Sequence, residues 1–147
     1  MSYLVSQDLI DELGENTLVQ LTDDDGTGEI GETRVLKAIE SAKGVFDSYA
    51  RTRYSLPVLA TPMVKAINLD LAIFHLYKSR TSIPEGIYKV RENAYKDALQ
   101  LLKDIGSGKA ALDVPATEET IETPATSDKI LTNASKAKFT DDTLKGF

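Results

Sequence analysis

The chain contains no cysteine and only one histidine, His75. Without cysteine it can form neither a disulfide framework, a thiolate nucleophile nor a zinc–thiolate site, so its fold must depend on packing alone. A single histidine and carboxylates leave weak Ca²⁺ or Mg²⁺ binding as the available metal chemistry. We therefore expect no resident metal, no cofactor and no catalytic residue.

Long hydrophobic runs are also missing. The most apolar stretch, residues 63–77, is interrupted by four polar side chains and is shorter than the roughly 20 residues that a membrane crossing needs. The N-terminus lacks the basic and apolar regions of a signal peptide, so we expect a cytoplasmic protein without membrane contact. The 147 residues, of which 41% are apolar, suit one folded domain.

Positive charge is absent from the first 33 residues, which contain nine carboxylates and no lysine or arginine. These carboxylates are Asp8, Asp11, Glu12, Glu15, Asp23, Asp24, Asp25, Glu29 and Glu32. The rest of the chain holds 14 acidic and 17 basic residues. One end of the fold is thus strongly negative and should repel phosphate backbones, which disfavours sequence-specific nucleic-acid binding through that face.

Apolar spacing predicts an all-α fold, a small bundle with short N-terminal helices and three long helices. Ser6 as N-cap and Gly14 predict a first helix over about 7–13, and a second short turn is expected near 17–21. Long helices are predicted over about 33–53, 62–78 and 84–106, and an i,i+4 pair of Asp47 with Arg51 is expected on the first of these. The last should carry an apolar face from Ile87 and Val90 to Ile105. The helix over 62–78 is apolar around nearly its whole circumference and should be central.

The composition changes after the helical domain, which we assign to residues 1–112. Residues 113–147 have too few large apolar side chains to form a core, and we interpret them as an extended tail. As a flexible coil the tail would span about 30–35 Å, enough to reach a neighbouring subunit. Phe139, Leu144 and Phe147 reintroduce apolar groups at its end, which is typical of a docking segment, although a frayed terminus fits equally well.

Residues 21–32, Leu-Thr-Asp-Asp-Asp-Gly-Thr-Gly-Glu-Ile-Gly-Glu, imitate a calcium-binding loop without completing one. With Asp23 at the first position, the twelfth is Arg34, where a calcium loop needs a bidentate glutamate. Starting at Leu21 instead recovers Glu32 there but places leucine at the first ligand position. We favour an acidic turn between helices, with Asp23 and Asp25 as weak metal candidates and Asp23, Asp24, Asp25, Glu29 and Glu32 as an acidic face.

Other chemical motifs are incomplete. Gly106-Ser-Gly-Lys109 lacks the remainder of a phosphate-binding loop and follows a helix, so a helix terminus is favoured. His75 lies five residues after Asp70, the wrong spacing for a same-face pair, and is interpreted as a partly buried side chain. Arg51 and Arg53 are expected to cap a helix C-terminus rather than bind phosphate. We therefore expect that this protein is not an enzyme.

Several segments in order resemble a family of small proteins from Mu-like tailed phages and prophages. They are the Gln7-Asp-Leu-Ile helix, the acidic loop, the segment Tyr49-Ala-Arg-Thr-Arg-Tyr-Ser-Leu-Pro57 and the helix Asp70-Leu-Ala-Ile-Phe-His-Leu-Tyr77. The closing residues from Phe139 to Phe147 are also similar to the ends of those chains.

This resemblance implies a head–tail connector, also called an adaptor or head completion protein, located in the neck of the virion. It further implies a homo-oligomeric, dodecameric ring that contacts the portal and a downstream tail-joining or stopper protein, while DNA passes through without specific binding. The alternative from another class is a cytoplasmic, calcium-responsive or regulatory binding module that uses the loop 23–32.

Overall fold

The computed structural model of the protein describes residues 2–114. These residues form five α-helices and no strand, which confirms the predicted all-α class. The helices are α1 (Ser6–Leu13), α2 (Glu15–Thr22), α3 (Glu32–Ala50), α4 (Pro62–Lys78) and α5 (Glu85–Ser107). The predicted docking residues Phe139, Leu144 and Phe147 lie outside the described part of the chain.

The central position predicted for α4 is confirmed. Pro62 occupies its first turn, and the Thr61 hydroxyl accepts a hydrogen bond from the Val64 N–H. Each of the other four helices contacts α4. Its buried apolar residues are Val64, Ile67, Leu71, Ala72, Ile73, Phe74, Leu76 and Tyr77. Since these residues point in every direction around the helix, α4 is the core around which the domain is assembled.

The packing along α4 divides the domain into two sides. The extensive contacts of α4 are with α3 and α5, and Phe74 stacks on Tyr95 of α5 with ring centroids 4.4 Å apart. The short helices α1 and α2 cover another part of α4 and also contact α3. Within the described residues, neither α1 nor α2 contacts α5.

Two helix ends differ from the sequence prediction. Helix α3 ends at Ala50 rather than near Arg53, and the chain continues into a turn in which the Ala50 carbonyl accepts from the N–H groups of Arg53 and Tyr54. Helix α5 continues to Ser107, and Gly108 rather than Gly106 takes the left-handed conformation, with φ of 91°.

Ser6 was expected to be the N-cap of α1, and this prediction is wrong. The helix begins at Ser6, so Val5 is the capping residue, and its N–H donates to the Asp8 carboxylate at 2.8 Å. The Asp8 side chain, in the first turn of α1, therefore satisfies the backbone N–H of the N-cap residue. The Ser6 hydroxyl instead donates to Glu32 at the start of α3.

The N-terminal segment is attached to α3 through a buried polar network. The Tyr3 hydroxyl donates to the Asp47 carboxylate at 2.7 Å, and the Lys43 ammonium donates to the other oxygen of Asp47 at 2.7 Å. The expected Asp47–Arg51 side-chain pair is wrong, since Arg51 donates to the backbone carbonyl of Asp47. Burial and the hydrogen bond to Asp47 raise the pKa of Tyr3, so the phenol stays protonated.

The apolar face predicted for α5 is buried only in its second half. Ala98, Leu102 and Ile105 are buried, whereas Ile87 and Val90 are exposed. The sequence pattern placed Ile87 and Val90 on the same face as Ile105, but no part of the described chain covers that face near the beginning of α5. At the beginning of α5 the predicted core and the observed core therefore disagree.

We predict that Tyr3→Phe lowers the free energy of unfolding by about 1.5–3 kcal/mol, because it removes a buried hydrogen bond to a charged group and leaves Asp47 only partly satisfied. Tyr49→Phe is the matched control, since the Tyr49 hydroxyl makes no hydrogen bond to any described residue, and it should change stability little. Urea unfolding followed by circular dichroism measures both. Equal effects of the two changes would contradict the role assigned to Tyr3.

Candidate functional site

The acidic loop between α2 and α3 is organised by Asp23. Its carboxylate accepts hydrogen bonds from the backbone N–H groups of Gly26 at 2.9 Å, Thr27 at 3.1 Å and Gly28 at 2.8 Å. Gly26 and Gly28 have φ of 72° and 80°, which lets the backbone curl around that carboxylate. These backbone hydrogen bonds, that of Gly28 most of all, lower the pKa of Asp23.

Asp24 connects the loop to the helical body. One of its carboxylate oxygens lies 2.9 Å from the Nε of Arg34 on α3, and the other lies 3.0 Å from a guanidinium nitrogen of Arg80 after α4. The hydrogen bond from Arg34 is the main reason why the pKa of Asp24 is lowered. Arg34 also donates to the Ser79 hydroxyl, and Arg80 donates to the Leu21 carbonyl. The two arginines therefore tie the loop to the ends of α2 and α4.

The two ends of the loop meet at Thr22 and Gly31. The buried Thr22 hydroxyl accepts from the Gly31 N–H at 2.9 Å and donates to the Leu18 carbonyl at 2.7 Å. A β-carbon on Gly31 would lie only 2.2 Å from the Thr22 carbonyl oxygen, so a side chain at residue 31 would prevent this approach. Because this contact closes the loop at its base, the loop has a defined conformation.

The remaining carboxylates of the predicted acidic face have different surroundings. Asp25 and Glu29 are exposed, and neither forms an ion pair within the described residues. Glu32 accepts the hydrogen bond from Ser6 and so joins α1 to α3. An open depression of about 420 Å³ follows the loop from Thr22 to Arg34 and Lys37. The structure thus brings all five predicted carboxylates to one region, where Asp24 alone is paired with cations within residues 2–114.

The loop chemistry gives the calcium alternative no support. The Asp23 oxygens are occupied by backbone N–H groups, and Asp24 is occupied by two arginines. Among residues 2–114, no group of three or more histidine, cysteine, aspartate or glutamate side chains is placed to hold a metal ion. As the sequence suggested, Arg34 stands where a twelfth-position glutamate would be needed, and it neutralises a carboxylate of the loop.

The other candidate residues occupy structural positions. His75 is partly buried, and burial lowers its pKa; in the described residues its Nε2 has no hydrogen-bond partner. Asp70, whose pKa is raised by burial, makes no hydrogen bond to it there. Arg51 donates to the Asp47 carbonyl in the last turn of α3, as predicted, whereas Arg53 donates to the Ile105 carbonyl near the end of α5 rather than to its own helix.

Two features of the site were not predicted from sequence. The first is the arginine clamp, in which Asp24 pairs with Arg34 and Arg80, 10 and 56 positions away in the sequence. Only the pair with Arg34 had a local signal, because Arg34 lies in the first turn of the helix that follows the loop. The closure of Thr22 on Gly31 was also missed, although a glycine directly before a helix is a signal for close backbone approach.

The geometry defines a small, all-helical protein with a rigid acidic loop and without a metal-binding group in residues 2–114. Within those residues, no helix is long and apolar enough to cross a bilayer. The family described as "Bacteriophage Mu, Gp36" matches residues 3–130, so the chain belongs to this phage Mu protein family. Membership indicates a structural or assembly role in a phage. No curated protein matches the chain significantly.

We predict that Asp24→Asn lowers the free energy of unfolding at pH 7, because an amide cannot bind both arginines as a carboxylate does. The pKa of Asp24 is below its ordinary value of 3.8 in the folded chain, so its contribution is complete above that value. The contribution is lost as the pH falls from 3.8 through the folded pKa. The stability difference between the two proteins should therefore shrink across that window.

Urea unfolding at a series of pH values measures the Asp24 effect. Asp25→Asn is the control, since Asp25 is exposed and forms no ion pair in the described residues, and it should leave stability nearly unchanged. A difference between Asp24→Asn and the unmodified protein that stays constant down to pH 2 would contradict the prediction.

Proposed function

We propose that this protein is a head–tail connector, an adaptor that forms a ring between the portal and the tail and lines the DNA channel. The observation that carries the proposal is membership of the phage Mu protein family, together with a compact helical domain whose acidic loop is held rigidly. In this proposal the protein is part of the virion neck, and its partners are further copies of itself, the portal and a downstream tail-joining protein.

The fixed acidic loop suits a surface past which DNA must move. A wall that holds carboxylates toward the channel repels phosphates and cannot retain the duplex by counterion release. Asp25 and Glu29 supply this unneutralised charge, whereas Asp23 and Asp24 are used to hold the loop in shape. If the loop changed its conformation, its carboxylates would no longer be held toward the channel to repel phosphates. The arginine clamp on Asp24 opposes such a change.

In this proposal the tail attaches the protein to the portal or to a neighbouring subunit. Leu112 is buried and its N–H donates to the Tyr54 hydroxyl at 2.9 Å, so the chain leaves the domain at a fixed point beside the end of α3. Val114 still packs against the core. From that point the remaining residues are long enough to reach a portal or a neighbouring subunit, where Phe139, Leu144 and Phe147 would dock.

The connector function is tested by electron microscopy of the full chain mixed with its cognate portal, alongside a mass measurement of the chain alone. We expect a ring of this protein stacked on the portal, with its acidic loops toward the channel. A protein that stays separate from the portal at every ratio tested would overturn the proposal.

We predict that Phe139→Ala combined with Phe147→Ala weakens binding of the full chain to the portal–ring assembly by about tenfold or more, since buried aromatic anchors dominate docking energies. Residues 2–114 contain the core, so the helical circular dichroism spectrum should not change. Lys138→Ala combined with Lys145→Ala, in the same segment, is the control for general effects on the tail. Undiminished assembly of the double phenylalanine variant would refute the docking role.

A further inference from the structure

We propose that a cavity between α3 and the end of α4 binds one compact oxyanion, a phosphate or a carboxylate group. We call it the oxyanion cavity, and its positive charge comes from Arg34, Lys37 and Lys78. The inference does not depend on the proposed connector function.

The oxyanion cavity has a volume of about 350 Å³ and is open to solvent. Helix α3 contributes three polar side chains at spacings of three and four residues, which places them on one side of that helix. The end of α4 contributes three more. These polar lining residues are Arg34, Lys37, Ser41, His75, Lys78 and Ser79. No carboxylate of the described residues lines the cavity.

The cations at this cavity outnumber the carboxylates that neutralise them. Lys37 and Lys78 are exposed, and neither forms an ion pair or a hydrogen bond within residues 2–114. Lys37 also borders the acidic depression beside the loop, but it pairs with none of the carboxylates there. Arg34 shares its one carboxylate, Asp24, with Arg80. The region therefore holds an excess of positive charge that a bound anion would offset.

Arg34 is already held in the orientation in which it lines the cavity. Its Nε donates to Asp24 at 2.9 Å, and one terminal nitrogen donates to the Ser79 hydroxyl at 2.8 Å. The other terminal nitrogen makes no hydrogen bond to a described residue, and the side chain is 30% exposed. Because two of its donor groups are fixed, the guanidinium loses little side-chain freedom when its remaining donors bind an oxyanion.

Two further side chains describe the wall between the cations. The half-buried Ser41 hydroxyl has no hydrogen-bond partner in the described part of the chain, so it can donate to an anion. His75 packs against Tyr95 with ring centroids 6.1 Å apart. Burial and, after it, the charge of Lys78 lower the pKa of His75, so this ring is neutral at pH 7. The positive charge of Lys78 thus acts at the wall of the cavity.

The acidic loop decides which kind of anion suits the cavity. Asp25 and Glu29 are exposed on the adjoining depression, which shares Arg34 and Lys37 with the cavity. A nucleic-acid strand that followed this surface would bring its phosphates past those carboxylates and would be repelled. A single phosphate or carboxylate group can enter the cavity and meet the cations alone. The ligand class is therefore a compact oxyanion rather than a polyanion.

The single histidine of the chain allows a direct test, because the only imidazole signal in a heteronuclear NMR spectrum comes from the cavity wall. The full chain, without a histidine tag, is titrated at constant pH and ionic strength by replacing sodium chloride with sodium phosphate. A parallel titration uses N-acetylglutamate methylamide, which carries one side-chain carboxylate. We expect a saturable shift of the His75 signal at millimolar concentration. The tighter ligand of the two identifies the source, which is free phosphate or the side chain of a partner protein.

Lys37→Gln combined with Lys78→Gln removes both unpaired cations and keeps the length of the side chains. We expect this change to weaken binding of the tighter ligand about fivefold or more, since it removes two exposed charge contacts. Lys103→Gln combined with Lys109→Gln is the matched control, because both lysines are exposed, lie outside the cavity and carry the same total charge. The control should bind the anion within about twofold of the unmodified protein.

Three outcomes would overturn the proposal. The first is a His75 signal that shows no saturable change with either anion. The second is equal weakening in the two double variants, which would indicate a general effect of net charge. The third is a short DNA duplex that shifts the signal more than inorganic phosphate does at the same concentration of phosphate groups, which would indicate a surface for a polyanion. The assay contains no portal, so none of these outcomes bears on the connector test.

Discussion

Everything in this domain depends on covering α4. Because its buried side chains point in all directions, no single partner helix can remove it from water, and the chain must surround it. Helices α3 and α5 provide most of that cover, and the short helices α1 and α2 provide the rest. The connections between helices must therefore let the other helices pack against α4. The acidic loop is the connection that positions α3 against it.

This arrangement explains why the loop is rigid although it is exposed. A sequence with five carboxylates between residues 23 and 32 repels itself, and the fold offsets the repulsion with backbone N–H groups at Asp23 and guanidinium groups at Asp24. Arg80 reaches the loop only because the end of α4 lies beside the end of α2. The central helix thus fixes the shape of the loop as well as the core.

Helix positions could be predicted from the sequence because their signals are local. Apolar spacing, Pro62 at the start of a helix and glycines at helix ends each act within a few residues of where they stand. The identity of the Asp24 partners could not be predicted, since Arg80 meets Asp24 only after α2, α3 and α4 have packed. The Tyr3–Asp47 hydrogen bond is equally long-range, and the local i,i+4 rule pointed wrongly to Arg51.

The failed prediction at Ile87 and Val90 differs in kind from these misses. Periodicity identifies which side of a helix is apolar, and it did so correctly for α5. It cannot say whether the cover comes from the same chain, because burial inside a domain and burial between subunits select the same residues. In α5 the apolar side continues past the region that α3 and α4 cover. The mismatch between pattern and burial thus identifies Ile87 and Val90 as apolar residues that no described part of the chain covers.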